Sequence, residues 1–388
     1  MEKKQTGGSE DRWTRKRYYR VRILSIVWYK VLPPQFGGQK GIAYFNQQIA
    51  THHPLVCVCS NNNEPADDLL YAVRPILPTG KTQFLQPSSW KKIKAVAIEF
   101  NATHIILEHP YHGIAAIKAA KASGAKLIVH SHNIESQRFR SQGKWWWRLL
   151  AHYEKRIHRK ADLNLFKTAD DMQWAIDRFA LKPSSCMVLP YGIERPVKDN
   201  DAGSFIRHRH NIPADSTLLL FAGTLDYAPN AQAMENIFKK LVPLLEQQQR
   251  SYHIIICGRN QLPEFRHLYK LKHASITVTG EVKDIDRYFN AADVFINPVM
   301  ESSGIQTKNI DALSYDLPVV CFQNTLTGID TQLCGDRLLP CADNDWRSFV
   351  ETIDKAIALP PGKTPDSFFD HYSFATQVEN LLARLSDQ

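Results

Sequence analysis

Short apolar, β-branched runs recur along the chain and alternate with stretches whose apolar residues fall three and four apart. VRILSIVW (21–28), LVCVCS (55–60), THIILEHP (103–110), KLIVHSHN (126–133), ADLNLFKT (161–168) and CMVLPYG (186–192) read as strands buried on both faces. Between them, GIAYFNQQIA (41–50) and GIAAIKAAKASG (113–124) carry helical spacing, and a long helical stretch with Trp145–Trp147, Tyr153 and Ile157 precedes residue 161. A charged linker with Pro and Gly, ERPVKDNDAG (194–203), separates this series from a second one. There TLLLFAGTL (217–225), HIIICG (253–258), SITVTGEV (275–282), ADVFINPV (292–299), LPVVCFQN (317–324) and RLLPC (337–341) predict strands. A helix opening at Asn230 has a stripe of Met234, Ile237, Phe238, Leu241 and Leu245; others are expected over 305–315 and about 375–385.

Strands alternating with helices predict an α/β fold with two Rossmann-like, doubly wound parallel sheets, facing each other across a cleft. The expected organisation is a basic tail (1–20), one domain over 21–195, a second over 196–365, and a terminal segment (366–388) whose helix returns to the first domain. In such sheets ligands bind beyond the carboxyl ends of the strands, beside helix N-termini. That directs attention to the loops after Trp28, His130, Leu220, Ile256, Ile296 and Val320.

Composition narrows the function. Hydrophobic residues make up 44% of the 388 and charged residues 22%, which excludes disorder for most of the chain. No stretch approaches the roughly 20 apolar residues of a membrane helix, and the N-terminus lacks an apolar core, so a cytoplasmic protein is expected. A net charge of +9 favours anionic partners: phosphates, nucleic acid or anionic lipid. The seven cysteines are odd in number and form no CxxC pair, which predicts buried thiols rather than disulfides. Residues 138–160 hold eight Lys and Arg against one acid, Glu154, with Trp145–Trp147 among them. That segment suits an anionic membrane surface, or equally a solvated helix with buried tryptophans.

The richest loop is NPVMESSGIQTKNIDALSYDLPVVCF (297–322). Glu301 is followed by Ser302, Ser303 and Gly304 and a helix opening near Ile305. Small residues there leave backbone N–H groups free for an anion. Lys308, one turn in, opposes the helix dipole unless an anion sits beside it, and Asp311 can accept two hydroxyl hydrogen bonds from a ribose. A capped surface helix with a Lys–Asp pair explains the same residues. In GTLDYAPN (223–230), Thr224 can donate to a phosphate, and Asn230 is expected as an N-cap behind Pro229. His130 and His132 form the His-x-His pair that zinc sites use, but no third ligand at metal-like spacing lies nearby, so no metal is expected. His112 is expected to be a satisfied structural histidine. The two DxD runs, 199–201 and 343–345, are expected to be caps or turns.

The 297–322 segment, with HNIES (132–136), LPYGIERP (189–196), LFAGTLDYAPNAQAMENI (220–237) and ITVTGEVKDIDRYFNAADVFINP (276–298), resembles the GT-B glycosyltransferases of the group 1, GT4-like family. The resemblance covers most of the chain from about 21 to 385. It implies that Glu301 holds donor-sugar hydroxyls, that Ser302, Ser303 and Gly304 offer backbone amides, that Lys308 neutralises a diphosphate and that Asp311 holds the ribose. It further implies that Val282 and its neighbours place the base, that His132 faces the sugar, and that Gly37 and Gly38 form the loop nearest phosphate and acceptor. The family's second acid would fall at Asn309, and Thr224-Leu225-Asp226 stands where its Gly-Arg…Lys pair is usual; Arg259 is the candidate for the second cation. The function so implied is transfer of a sugar from a nucleotide diphosphate sugar to a glycan, lipid-linked or small-molecule acceptor, with retention and without a metal. The rivals are a nucleotide-sugar epimerase on the same scaffold and a nucleic-acid-binding protein; the chain carries no familiar nucleic-acid-reading motif.

Overall fold

In the computed structural model, which describes residues 21–34, 37–80, 83, 86–301 and 304–386, the apolar runs form two all-parallel sheets. The first contains β1 (Ile23–Val27), β2 (Leu55–Ser60), β3 (Ala72–Leu77), β4 (His104–Glu108), β5 (Lys126–Ser131), β6 (Leu163–Phe166) and β7 (Cys186–Val188), in the order β3-β2-β1-β4-β5-β6-β7. The second contains β8 (Thr217–Ala222), β9 (Tyr252–Cys257), β10 (Ile276–Gly280), β11 (Val294–Asn297), β12 (Val319–Phe322) and β13 (Leu338–Cys341), in the order β10-β9-β8-β11-β12-β13. One compact unit ends at Gly192 and takes up the chain again from Phe374; the other is Ile193–Ser373.

Why these runs become strands is visible in β1 and β2. Ile23 and Val27 face one core of the first unit with Leu55, Cys57 and Cys59, while Leu24 and Ile26 face the other with Val56 and Val58. Period-two alternation between two apolar environments leaves no polar face, hence the continuous apolar runs. One of these cores is completed by the C-terminal helix Phe374–Ser386, whose Phe374, Val378, Leu381 and Leu385 pack with Ile42, Phe45 and Ile49. Its approach requires a glycine: a Cβ on Gly192 would lie 2.2 Å from the Phe374 ring.

Several elements escape the apolar pattern. β3 (AVRPIL) carries Arg74 and Pro75 and is an edge strand, where a missing N–H is tolerated. The helix Pro87–Glu99 buries only Ser89, Ile93 and Ala97. Helices Ala202–His210, Ile285–Ala291, Trp346–Ala358 and Asp366–Tyr372 complete the second unit. The long helical stretch expected before residue 161 is two helices, Glu135–Ser141 and Trp147–His158, interrupted where Gly143 takes a left-handed φ of 68°. Gly37 and Gly38 are not loop residues but the first turn of the helix Gly37–His52. Asn230 is not an N-cap: the helix starts at Ala228 with Pro229 in its first turn, where the absent proline N–H costs nothing.

Strand order reverses between β1 and β4 in the first sheet and between β8 and β11 in the second, giving each sheet a switch point where its loops diverge. At the first, Val27 is in register with Glu108, and Glu108 with His130. Beside the second, the ends of β8 and β9 converge so closely that a Cβ on Gly258 would lie 1.9 Å from the Gly223 carbonyl oxygen. Gly258→Ala should therefore cost about 2–3 kcal/mol through backbone overpacking, read as a lowered denaturant midpoint. Gly203→Ala, with nothing within 4 Å of its Cβ, should leave that midpoint unchanged or raise it.

Candidate functional site

At the switch point of the second sheet, β8 ends at Ala222 and the chain turns through Gly223 and Thr224 into the helix Ala228–Asn236. Gly223 leaves space that two polar groups occupy: a Cβ there would lie 2.8 Å from Asn230 Nδ2 and 2.9 Å from Lys308 Nζ. Lys308 stands in the first turn of the helix Thr307–Ser314, two residues later than the expected start, and that turn contains no acid. Its ammonium donates to Asn230 Oδ1 and lies 4.8 Å from the centre of the Phe221 ring. Asn230 Nδ2 donates in turn to the Thr224 carbonyl at 2.9 Å. Among the described residues no carboxylate pairs with Lys308, and burial pushes its ammonium down to about 7. Thr224 Oγ1 is buried without a partner among the described residues. A desolvated cation lacking a counter-charge, at a helix start and beside an idle hydroxyl, suits a phosphate group.

The remaining candidates of this unit lie beyond the strand ends, on loops or in the helix Thr307–Ser314. Glu301 is exposed in the turn beyond β11, and Gly304 precedes the Lys308 helix with a left-handed φ of 77°. Ser302 and Ser303 lie outside the described residues. Val282 is half-buried between β10 and the helix Ile285–Ala291, and Asp311 is half-buried one turn beyond Lys308. Asn309, where the resemblance places an acid, is fully buried and structural. It accepts from Asn297 Nδ2 at 2.8 Å and donates to Thr325. Arg259 is engaged with an acid, its Nε 3.0 Å from Asp226 Oδ2, while Asp226 Oδ1 accepts from the Gln261 and Leu262 amides. The two DxD runs serve backbone: Asp199 accepts from the Asp201 amide and binds Arg287, while Asp345 caps the helix Trp346–Ala358.

The first unit gathers a second group of polar side chains at its own switch point. Glu108, the last residue of β4, meets His130 and His132 at the end of β5, with Oε2 3.0 Å from His130 Nδ1 and 2.6 Å from His132 Nε2. The missing third partner of the His-x-His pair is thus supplied from the neighbouring strand, 22 and 24 residues away in sequence. Burial alone would raise the Glu108 carboxyl, but the His130 and His132 imidazoles hold it well below the usual carboxylate range. Burial holds both imidazoles below their ordinary value, against the pull of the Glu108 carboxylate. The His109 ring stacks on His132 with centroids 4.4 Å apart, and His109 Nδ1 is tied to Glu135 Oε1 at 3.1 Å.

Glu135 also accepts from Tyr111 and Arg138, and the Glu135 and Ser136 amides donate to the buried Glu154 carboxylate at 2.8 and 2.9 Å. HNIES is therefore held from three sides. Nearby, Tyr29 Oη donates to the Gly38 carbonyl at 3.2 Å. His112 is buried as expected but not satisfied: neither ring nitrogen has a partner among the described residues, and burial pushes it down to about 4.

Lys308, Thr224 and His132 were marked by residue type and spacing, whereas Asn230 as a partner of Lys308, the space at Gly223 and the carboxylate of Glu108 were not. The one sequence signal for Glu108 is an acid closing an otherwise apolar strand.

Residues 39–195 match the family described as Glycosyltransferase Family 4, and residues 216–358 match Glycosyl transferases group 1. No curated protein sequence matches the chain. Among solved structures, a glycosyltransferase from Rickettsia africae is 13% identical, with TM-score 0.72 over 95% of this chain and 99% of that one. A sucrose-phosphate synthase from Thermosynechococcus elongatus is 16% identical, with TM-score 0.73 over 94% and 99%. Anabaena HepE, crystallised with UDP and glucose, is 15% identical, with TM-score 0.70 over 95% and 100%. With its two halves matched in order by these two descriptions, the chain belongs to the group 1, family-4-type glycosyltransferases and has their two-domain GT-B fold.

Proposed function

We propose that the chain moves a sugar from a nucleotide diphosphate sugar to an acceptor with retention of configuration, and that Lys308 neutralises the departing diphosphate. The observation that carries this reading is the Lys308 ammonium, desolvated and without a carboxylate among the described residues, at the switch point of the second sheet. The UDP-glucose held by Anabaena HepE supports a sugar nucleotide as donor. When the glycosidic bond breaks, negative charge grows on the diphosphate, and a preorganised cation stabilises that charge more than the ground state. Thr224 adds a hydroxyl donor to the same phosphate, and the Gly304 amide another. Asp311 takes the ribose diol, Glu301 the sugar hydroxyls, Val282 the base and Arg259 the second phosphate charge. In this reading Lys308 does the work of a divalent metal, and the departing phosphate itself accepts the acceptor's proton.

The acceptor side carries a surface suited to a lipid-linked substrate. Trp145 is 82% and Leu149 68% exposed, in a segment that also exposes Arg140, Lys144, Arg148, Arg156, Arg159 and Lys160. Glu154, the one acid between 138 and 160, is buried against backbone amides, and burial pushes its carboxyl up to about 7, so it offsets little of that charge. Exposed apolar side chains among cationic ones match an anionic bilayer surface, with Gly37 and Gly38 nearest phosphate and acceptor.

Lys308→Ala should weaken binding of the cognate nucleoside diphosphate about ten- to a hundredfold, measured by calorimetry over a panel of bases with the melting temperature as fold control; unchanged affinity removes Lys308 from the site. Because its free ammonium titrates near 7, a bound diphosphate must raise that value and binding must take up a proton. Affinity should accordingly fall as pH rises through neutrality, by at most tenfold per unit, and Lys308→Arg should abolish that slope. Vesicles containing anionic phospholipid should sediment the protein in a salt-sensitive manner, and Trp145→Ala with Leu149→Ala should release it; equal binding to neutral vesicles would remove the membrane from this reading.

A further inference from the structure

Glu108 has no part in sugar transfer as described, yet its surroundings define what it can do. Neither its side chain nor that of His130 has exposed surface, and His132 keeps 12% of its own. Held in its ionised form by the two imidazoles, the carboxylate can only accept hydrogen bonds, so each ring nitrogen facing it must carry a proton. A neutral imidazole has one N–H. In its neutral state, then, His130 is the Nδ1–H form and His132 the Nε2–H form. The lone pair of His132 is left on Nδ1, which has no partner among the described residues.

The 2.6 Å between Glu108 and His132 is a hydrogen-bond separation. Two ligands of one tetrahedral zinc, each about 2.1 Å from the ion, would stand about 3.4 Å apart. Three restraints act on the same ring: Glu108 at its edge, and His109 and His130 with centroids each 4.4 Å from it. Glu108 itself is fixed by the sheet, in register with Val27 on one side and His130 on the other.

We propose, on the assignment of His132 to the donor sugar, that Glu108 is a positioning residue: it locks His132 in the Nε2–H tautomer and so presents Nδ1 as a fixed acceptor for a sugar hydroxyl. A ring free to exchange tautomers would offer that hydroxyl a donor part of the time and an acceptor the rest. The lock removes this ambiguity before the donor arrives, which is preorganisation of the kind that favours transition-state contacts.

Long-range proton–nitrogen correlation on the full-length protein carrying 15N-histidine tests the lock, with His132 assigned by comparison with His132→Gln. At neutral pH the expected result is a bare Nδ1 and a protonated Nε2. Glu108→Gln brings an amide N–H2 before at least one of the two rings and should force a ring to reverse, giving a shifted or mixed tautomer at His132 or His130. Its kcat should fall about tenfold or more, with nucleoside diphosphate affinity retained. Glu108→Asp should keep the Nε2–H form and recover part of the rate. The double variant Glu108→Gln/His132→Gln should be no slower than His132→Gln alone.

A protonated Nδ1 in the unsubstituted protein, tautomers unaltered at both His130 and His132 in Glu108→Gln, or one zinc per chain on the purified protein would each overturn the lock. If His132→Gln transferred sugar at full rate while Glu108→Gln still scrambled the tautomer, the lock would stand and the assignment of His132 to the donor would fall.

Discussion

Both sheets bury their inner strands on both faces, so those strands can present polar side chains to a ligand only at their ends. The constraint is severe because an unpaired polar group inside either core costs on the order of 1–3 kcal/mol or more. It concentrates the chemistry of each unit at the carboxyl edge of its sheet, most of all where strand order reverses. Glu108, His130 and His132 occupy that place in the first unit; Gly223, Thr224 and Lys308 occupy it in the second.

The two groups solve the problem of buried charge differently. In the first unit the carboxylates of Glu108 and Glu135 are matched by imidazoles, a tyrosine and Arg138, and Glu154 by backbone amides, so the network is nearly closed. A closed network of this kind fixes geometry. In the second unit Lys308 meets, among the described residues, only the neutral Asn230 and the face of Phe221. That partial compensation keeps the cation in place while leaving its charge available to an incoming anion. One site is built to hold a shape, the other to receive a charge.

Family membership rests on sequence matches to both halves, and the likeness to solved structures at 13–16% identity establishes the fold. Particular departures from the family's pattern acquire physical sense in the fold. Asn309 cannot replace an acid at the ligand, since it is fully buried and links Asn297 to Thr325. Arg259 is tethered to Asp226, so its charge has a carboxylate already beside it.

The sequence by itself determined the α/β class and the existence of two parallel sheets, and pointed to Lys308, Thr224 and His132 as candidates at strand ends. Strands buried on both faces write themselves as unbroken apolar runs, and chemistry confined to their ends falls just after each run. It did not determine β3 or several helices, whose apolar faces are narrow or interrupted by Arg74 and Pro75. Nor did it determine which residues meet. Glu108 reaches His130 and His132 only because β4 and β5 lie side by side in register, and Asn230 reaches Lys308 across 78 residues because Gly223 leaves the space. Such meetings depend on strand order and on the absence of a side chain at one position, and neither is a property of any local stretch of sequence.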